Sequence, residues 1–162
     1  MPRGAPDWFY GAPQKTLEQL LREGNAFSDT AVTPEVAGKI SLVQLWNHIG
    51  SGVGVLLYRV SFEVGNNALV YIESSQEIAL NDFGTAVCRH TGLLNSQLHM
   101  RGQAEGIVGA GVLSYERALA DTMYHHYPLF IWLAPGWGVH VAPILTNTLV
   151  RALFWWFEFT EY

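Results

Sequence analysis

From residue 26 onward apolar and polar positions trade places roughly every second residue, the period of an extended strand. Residues 39–47 read as one strand and Gly50-Ser51-Gly52 as the turn that follows. Residues 53–64 make a long strand. Strict alternation there puts Leu56, Tyr58, Val60, Phe62 and Val64 on one face and Arg59, Ser61 and Glu63 on the other. Gly65-Asn66-Asn67 then turns the chain into a strand at 68–73. Between 74 and 111 the alternation weakens, with short β-like pieces separated by glycines at 84, 92, 102, 106 and 109. Residues 112–120 fit either a strand or a helical turn. Residues 128–134 predict a buried strand, Pro135-Gly136-Trp137-Gly138 a turn, 139–142 a short strand and 147–162 a long terminal one.

Short strands at this spacing, punctuated by Gly and Pro and with no helix–strand alternation, predict an all-β fold. The expected form is an antiparallel β-sandwich of jelly-roll type with an N-terminal arm and one short helix. The arm and helix occupy 1–26 and the sandwich 27–162. Residues 1–13 hold three of the seven prolines, which disfavour helix, beside Trp8, Phe9 and Tyr10, which are costly to leave in water. The reading is an extended arm docked on its own domain or on a neighbour; the alternative is a disordered tail. The helix spans 14–22, where Leu17, Leu20 and Leu21 share a face and Gly24 supplies the stop.

The terminal strand departs from simple alternation. Leu153, Trp155, Phe157 and Phe159 point one way, Phe154 and Trp156 the other, so both faces must be covered. One face belongs to the sandwich core. The other meets the arm and helix of the same chain or, in the reading preferred from composition, another subunit.

Composition sharpens that preference. At 162 residues the chain suits one domain able to build a core without staples. Charged residues are only 14% and aromatic ones 13%, so an isolated subunit is expected to leave apolar area wet, as interaction surfaces do. A net charge of −5, with nine Lys plus Arg and no basic cluster, argues against nucleic acid as a partner. The single cysteine, Cys88, excludes an intrachain disulfide and is expected to be a small buried side chain. The first residues show no apolar stretch of the secretory kind. Residues 122–150 contain no Asp, Glu, Lys or Arg. Pro128, Pro135, Pro143 and three histidines break that stretch, so it predicts no membrane span.

Candidate chemistry is thin. Gly50-Ser51-Gly52-Val53-Gly54 has Ile49 where a nucleophile elbow needs glycine, and the Gly-x-Gly near 106–111 lacks its third glycine. His125 and His126 point to opposite faces of a strand and cannot readily chelate one ion together. His140 follows a turn like that of a cupin motif, but Trp137 stands where that motif needs glycine. No catalytic site, metal site or cofactor is expected. Tyr124, His125, Tyr127, Trp137 and His140 remain a candidate ligand or surface patch, for instance a sugar-stacking platform.

Two segments carry a resemblance. Val43-Gln44-Leu45-Trp46-Asn47-His48-Ile49-Gly50-Ser51-Gly52 resembles a turn of small β-sandwich proteins encoded among tailed-phage structural genes. Leu133-Ala134-Pro135-Gly136-Trp137-Gly138-Val139-His140-Val141, then Asn147 and the aromatic last strand, resembles the closing strands of the same proteins. Their architecture is similar to the jelly-roll and tumour-necrosis-factor-like subunits of capsids, decorations and fibres. The resemblance covers about 40–64 and 128–162. It implies a virion structural protein made in the host cytoplasm, foremost a capsid decoration or cement protein. Its partners would be copies of itself, in a homotrimer, and the major capsid protein or other virion proteins. The contacts are expected from Trp8, Phe9 and Tyr10 of the arm and Phe154, Trp155, Trp156 and Phe157 of the last strand. Alternatives are a tail, baseplate or fibre protein of the same fold, or a carbohydrate-binding module.

Overall fold

The computed structural model describes residues 26–75, 81–87, 95–105, 111–126 and 128–160, and every regular element among them is a β-strand. In chain order these are β1 (Ala26–Thr33), β2 (Ile40–Asn47), β3 (Gly54–Val64), β4 (Ala68–Ser75), β5 (Asn81–Val87) and β6 (Asn95–Glu105). They continue as β7 (Gly111–Ala118), β8 (Tyr124–His126), β9 (Ile131–Leu133), β10 (Trp137–Pro143) and β11 (Val150–Phe159). All strand pairings are antiparallel. One sheet runs β1-β11-β3, with β8 and β9 each pairing a different half of the far side of β3. The other runs β5-β6-β2-β10-β4-β7. The arm and helix predicted within 1–26, together with Trp8, Phe9, Tyr10, Cys88 and Tyr127, lie outside the described residues.

The two sheets face each other across one apolar core. Val43 and Leu45 (β2), Val70 and Ile72 (β4), Leu98 and Met100 (β6) and Val139 and Val141 (β10) meet Leu57, Val60 and Phe62 (β3) and Ala152, Phe154 and Trp156 (β11). Alternation accounts for these choices: in β10 the inward Val139 and Val141 flank an outward His140. Side chains among the described residues also tie sheet to sheet. Asn47 Nδ2 donates to the carbonyls of Val53 and Leu133. Thr33 Oγ1 donates to the Leu42 carbonyl at 2.7 Å. Glu158 of β11 accepts from Ser96 of β6.

The faces of β3 differ from strict alternation. Opposite Trp155 and Trp156 the register moves from Arg59 to Leu57, leaving Tyr58 as the extra residue of a bulge. Val60, Phe62 and Val64 therefore face the core together with Val55 and Leu57. Leu56 and Tyr58 instead join Ala26, Trp132, Phe157 and Phe159 in a second cluster on the outer face of the five-stranded sheet. The weakly patterned middle holds β5 and the eleven-residue β6, and of 112–120 the residues through Ala118 form strand β7. Trp137, assigned to a turn on sequence, opens β10.

Candidate functional site

The aromatic terminal strand is placed first by its parity. Phe154 and Trp156 point between the sheets and are 0% and 1% exposed, so they are core. Trp155 and Phe157 point outward. Phe157, packed edge-on to Tyr58 at 5.9 Å, is only 3% exposed in the isolated chain. A second copy gains almost nothing by covering a side chain already covered. Trp155 remains partly exposed on the outer face.

Of the residues grouped as a ligand patch, the four that are described, Tyr124, His125, Trp137 and His140, do not share a surface. Tyr124 of β8 leans on the core and stacks on Phe62 at 5.4 Å. His125, one residue on, points the other way and meets Ser61 and Arg59. His126 returns to the Tyr124 side, stacked on Phe62 and paired with Glu116 at 3.1 Å. Trp137 and His140 belong to β10 in the other sheet. Trp137 is partly exposed at the start of that strand, while His140 is 0% exposed on its outer face.

His140 is the centre of a buried polar row crossing β2, β10 and β4. Its register partners are Gln44 and Glu73, and its Nε2 lies 2.9 Å from the Glu73 carboxylate. Burial pulls the His140 pKa below the usual imidazole value, opposed by the attraction and hydrogen bond of Glu73. Gly138, two residues earlier, makes room for this row. A Cβ there would meet the Leu45 carbonyl oxygen at 2.5 Å and Gln44 Nε2 at 3.2 Å. A second buried acid, Glu158, accepts from Ser96 Oγ, from Trp156 Nε1 at 3.0 Å and from the Gln97 amide at 3.2 Å. Burial raises its pKa above the usual carboxylate value, and the hydrogen bonds of Ser96, Trp156 and Gln97 oppose the rise. Among the described residues no group of three or more His, Cys, Asp or Glu is placed to hold a metal ion.

Exposed apolar side chains gather on the outer face where β4 and β7 end the six-stranded sheet. Over β2 and β10 that face is closed: Leu42, Gln44, Trp46 and His140 are all buried. Toward the edge it opens. Register sets Val112 opposite Glu73, Tyr115 opposite Tyr71 and Arg117 opposite Leu69, and the Ile144 amide bonds the Leu69 carbonyl at 2.6 Å. Val112 is 53% exposed, Tyr115 68% and Leu119, just past the strand, 54%. Leu69 and Ile144 are more than a third exposed. A bulge at Leu113, skipped in the pairing, leaves that leucine exposed beside Val112. These residues were not singled out on sequence, although Val112-Leu113-Ser114-Tyr115 has no charge to solvate it.

No family model, curated protein or solved structure matches this chain.

Proposed function

We propose that this chain is a structural assembly protein whose subunits meet through the apolar β4–β7 edge. The observation that carries the proposal is the strip of Leu69, Val112, Tyr115, Leu119 and Ile144, left open while the same face is buried over β2 and β10. Fully burying a large apolar side chain is worth about 1.5–3 kcal/mol, so each half-exposed member gains about 1 kcal/mol when covered. The occupant argued for is a second copy. A chain with 14% charged residues offers little else for such a strip to meet, and β7 ends its sheet with its outer backbone edge open to pairing among the described residues.

The narrower reading is a jelly-roll virion protein of the tailed-phage kind, foremost a head decoration or cement protein working as a homotrimer on the major capsid protein. Strand order supports the jelly-roll form. With the β5–β6 hairpin set aside as an insertion, β1, β11, β3 and the pair β8 and β9 line one sheet. Second, penultimate, fourth and the next line the other, as two wound Greek keys require. The turn and closing-strand resemblance supports the virion setting. No observation favours the carbohydrate-binding alternative, because Tyr124 packs on the core and Trp137 lies on the other sheet.

The test is the double variant Val112→Asp plus Tyr115→Asp, examined by native mass spectrometry and thermal melting. Both side chains already face solvent, so the fold should survive. Charge in the contact should weaken association by a hundredfold or more, on the order of 3 kcal/mol. An oligomer unaffected by both charges contradicts the proposal.

A further inference from the structure

The outer face of the five-stranded sheet holds a cation without a counter-charge among the described residues. Arg59 of β3 lies over the Trp155 ring, 5.4 Å from its centroid. Its Nε donates to Ser61 Oγ at 3.0 Å and its Nη2 to His125 Nδ1 at 2.8 Å, and Ser61 Oγ lies 2.8 Å from the same ring nitrogen. None of these partners carries negative charge. The neighbouring carboxylate on this face, Glu63, is engaged by Arg151 at 3.1 Å.

Donor arithmetic then fixes what is missing. A guanidinium only donates, so His125 Nδ1 is the acceptor and the neutral ring carries its proton on Nε2. Arg59 has five N–H groups, of which two are used, leaving both on Nη1 and one on Nη2. His125 Nε2–H is a further donor, and His125 is exposed, so the cluster opens to solvent at that end. Arg59 is meanwhile fixed by two hydrogen bonds and an indole beneath it, which removes most of the side-chain entropy an incoming ligand would otherwise have to quench. Fixed N–H donors with net positive charge and no acceptor match an oxyanion, and guanidinium suits the two oxygens of a carboxylate or phosphate.

We infer that Arg59, Ser61 and His125, backed by Trp155, form a binding site for a carboxylate- or phosphate-bearing ligand. This inference does not depend on the assembly reading, since it concerns the opposite sheet. Arg59 supplies the charge and His125 the second donor. Ser61 positions both.

The test titrates full-length protein with sodium acetate and, separately, sodium phosphate, at ionic strength held constant with sodium chloride. Tryptophan fluorescence and the His125 ring signals in NMR are the readouts. Saturable binding is expected for at least one anion, and which one distinguishes a carboxylate from a phosphate ligand. Arg59→Gln should weaken it by about tenfold or more, the loss expected for charge-assisted hydrogen bonds. His125→Gln, which disturbs the sheet less, should weaken it by a smaller factor. Failure of both anions to saturate, or saturation unchanged in both variants, overturns the site.

Discussion

Replacing Glu158 by alanine probes how the two sheets are held together at one end of the sandwich. The side chain is 6% exposed and receives three donors: Ser96 Oγ, Trp156 Nε1 and the Gln97 amide. Hydrogen bonds to a charged group are worth about 1.5–3 kcal/mol each, so the three together contribute about 5–9 kcal/mol. The desolvation cost of one buried carboxylate, several kcal/mol, offsets part of that sum. The expected net loss on truncation is about 3 kcal/mol. It arises chiefly because the Trp156 indole N–H is stranded where water cannot reach, whereas Ser96 can rotate and Gln97 is exposed. For a chain of this length that corresponds to a fall in Tm of roughly 6–12 °C. The carboxyl pKa is raised in the folded state, so the native protein holds its proton more tightly than the unfolded chain. The associated stability is complete below the ordinary carboxylate pKa, near 4.5, and is lost as pH rises through the folded value. Glu158→Gln should abolish that limb while costing less, about 1 kcal/mol, because one amide face still accepts from Ser96 and Trp156. Urea denaturation from pH 4 to pH 8 reads both quantities. A Glu158→Ala variant within about 0.5 kcal/mol of the parent, or a pH limb that survives in Glu158→Gln, would refute the reasoning.

Gly138→Ala should destabilise by about 1–3 kcal/mol, since the new Cβ meets the Leu45 backbone oxygen, which cannot step aside; a melt unchanged by the substitution contradicts the close approach. His140 has the opposite pH sign to Glu158. Its folded pKa is lowered, so the stability it contributes is present above the ordinary imidazole value of 6.5 and is lost as pH falls through the folded one. Denaturation of His140→Leu should lack that acid-side loss. Arg151→Ala removes the exposed pair with Glu63 and should shift stability by less than about 1 kcal/mol in thermal melts.

The long, strongly alternating segments were legible in the chain. Strands at 53–64 and 68–73, and the terminal strand with both faces apolar, predicted β3, β4 and β11 with ends displaced by a few residues. Punctuation by Gly50-Ser51-Gly52 and Gly65-Asn66-Asn67 set the breaks between them. Other features were hidden for physical reasons. Strand β1, Ala26–Thr33, is built largely from small and polar residues, so it carries period two without the apolar weight that marks a strand. A bulge changes parity without leaving a residue signature, and Leu56 and Tyr58 were therefore grouped on one face with Val60, Phe62 and Val64, from which the bulge separates them. Site residues were less legible than strands, because His125 and His140 became neighbours in prediction by type alone. Strand order separates them onto different sheets. The Arg59–Ser61–His125 cluster joins residues 66 positions apart, and nothing local announces such a pairing. Glu158 had a trace, as the one acid inside an aromatic run from Phe154 to Phe159. A charge there is kept only if donors surround it.

The claim that this is an assembly protein is tested most directly by the native mass of the unmodified chain. Sedimentation velocity or native mass spectrometry at concentrations from about 1 to 100 µM spans the range in which micromolar self-association appears. The account predicts a closed oligomer, foremost a trimer of the 18.0 kDa chain. A monomer throughout, with the β4–β7 strip still open to solvent, would contradict it.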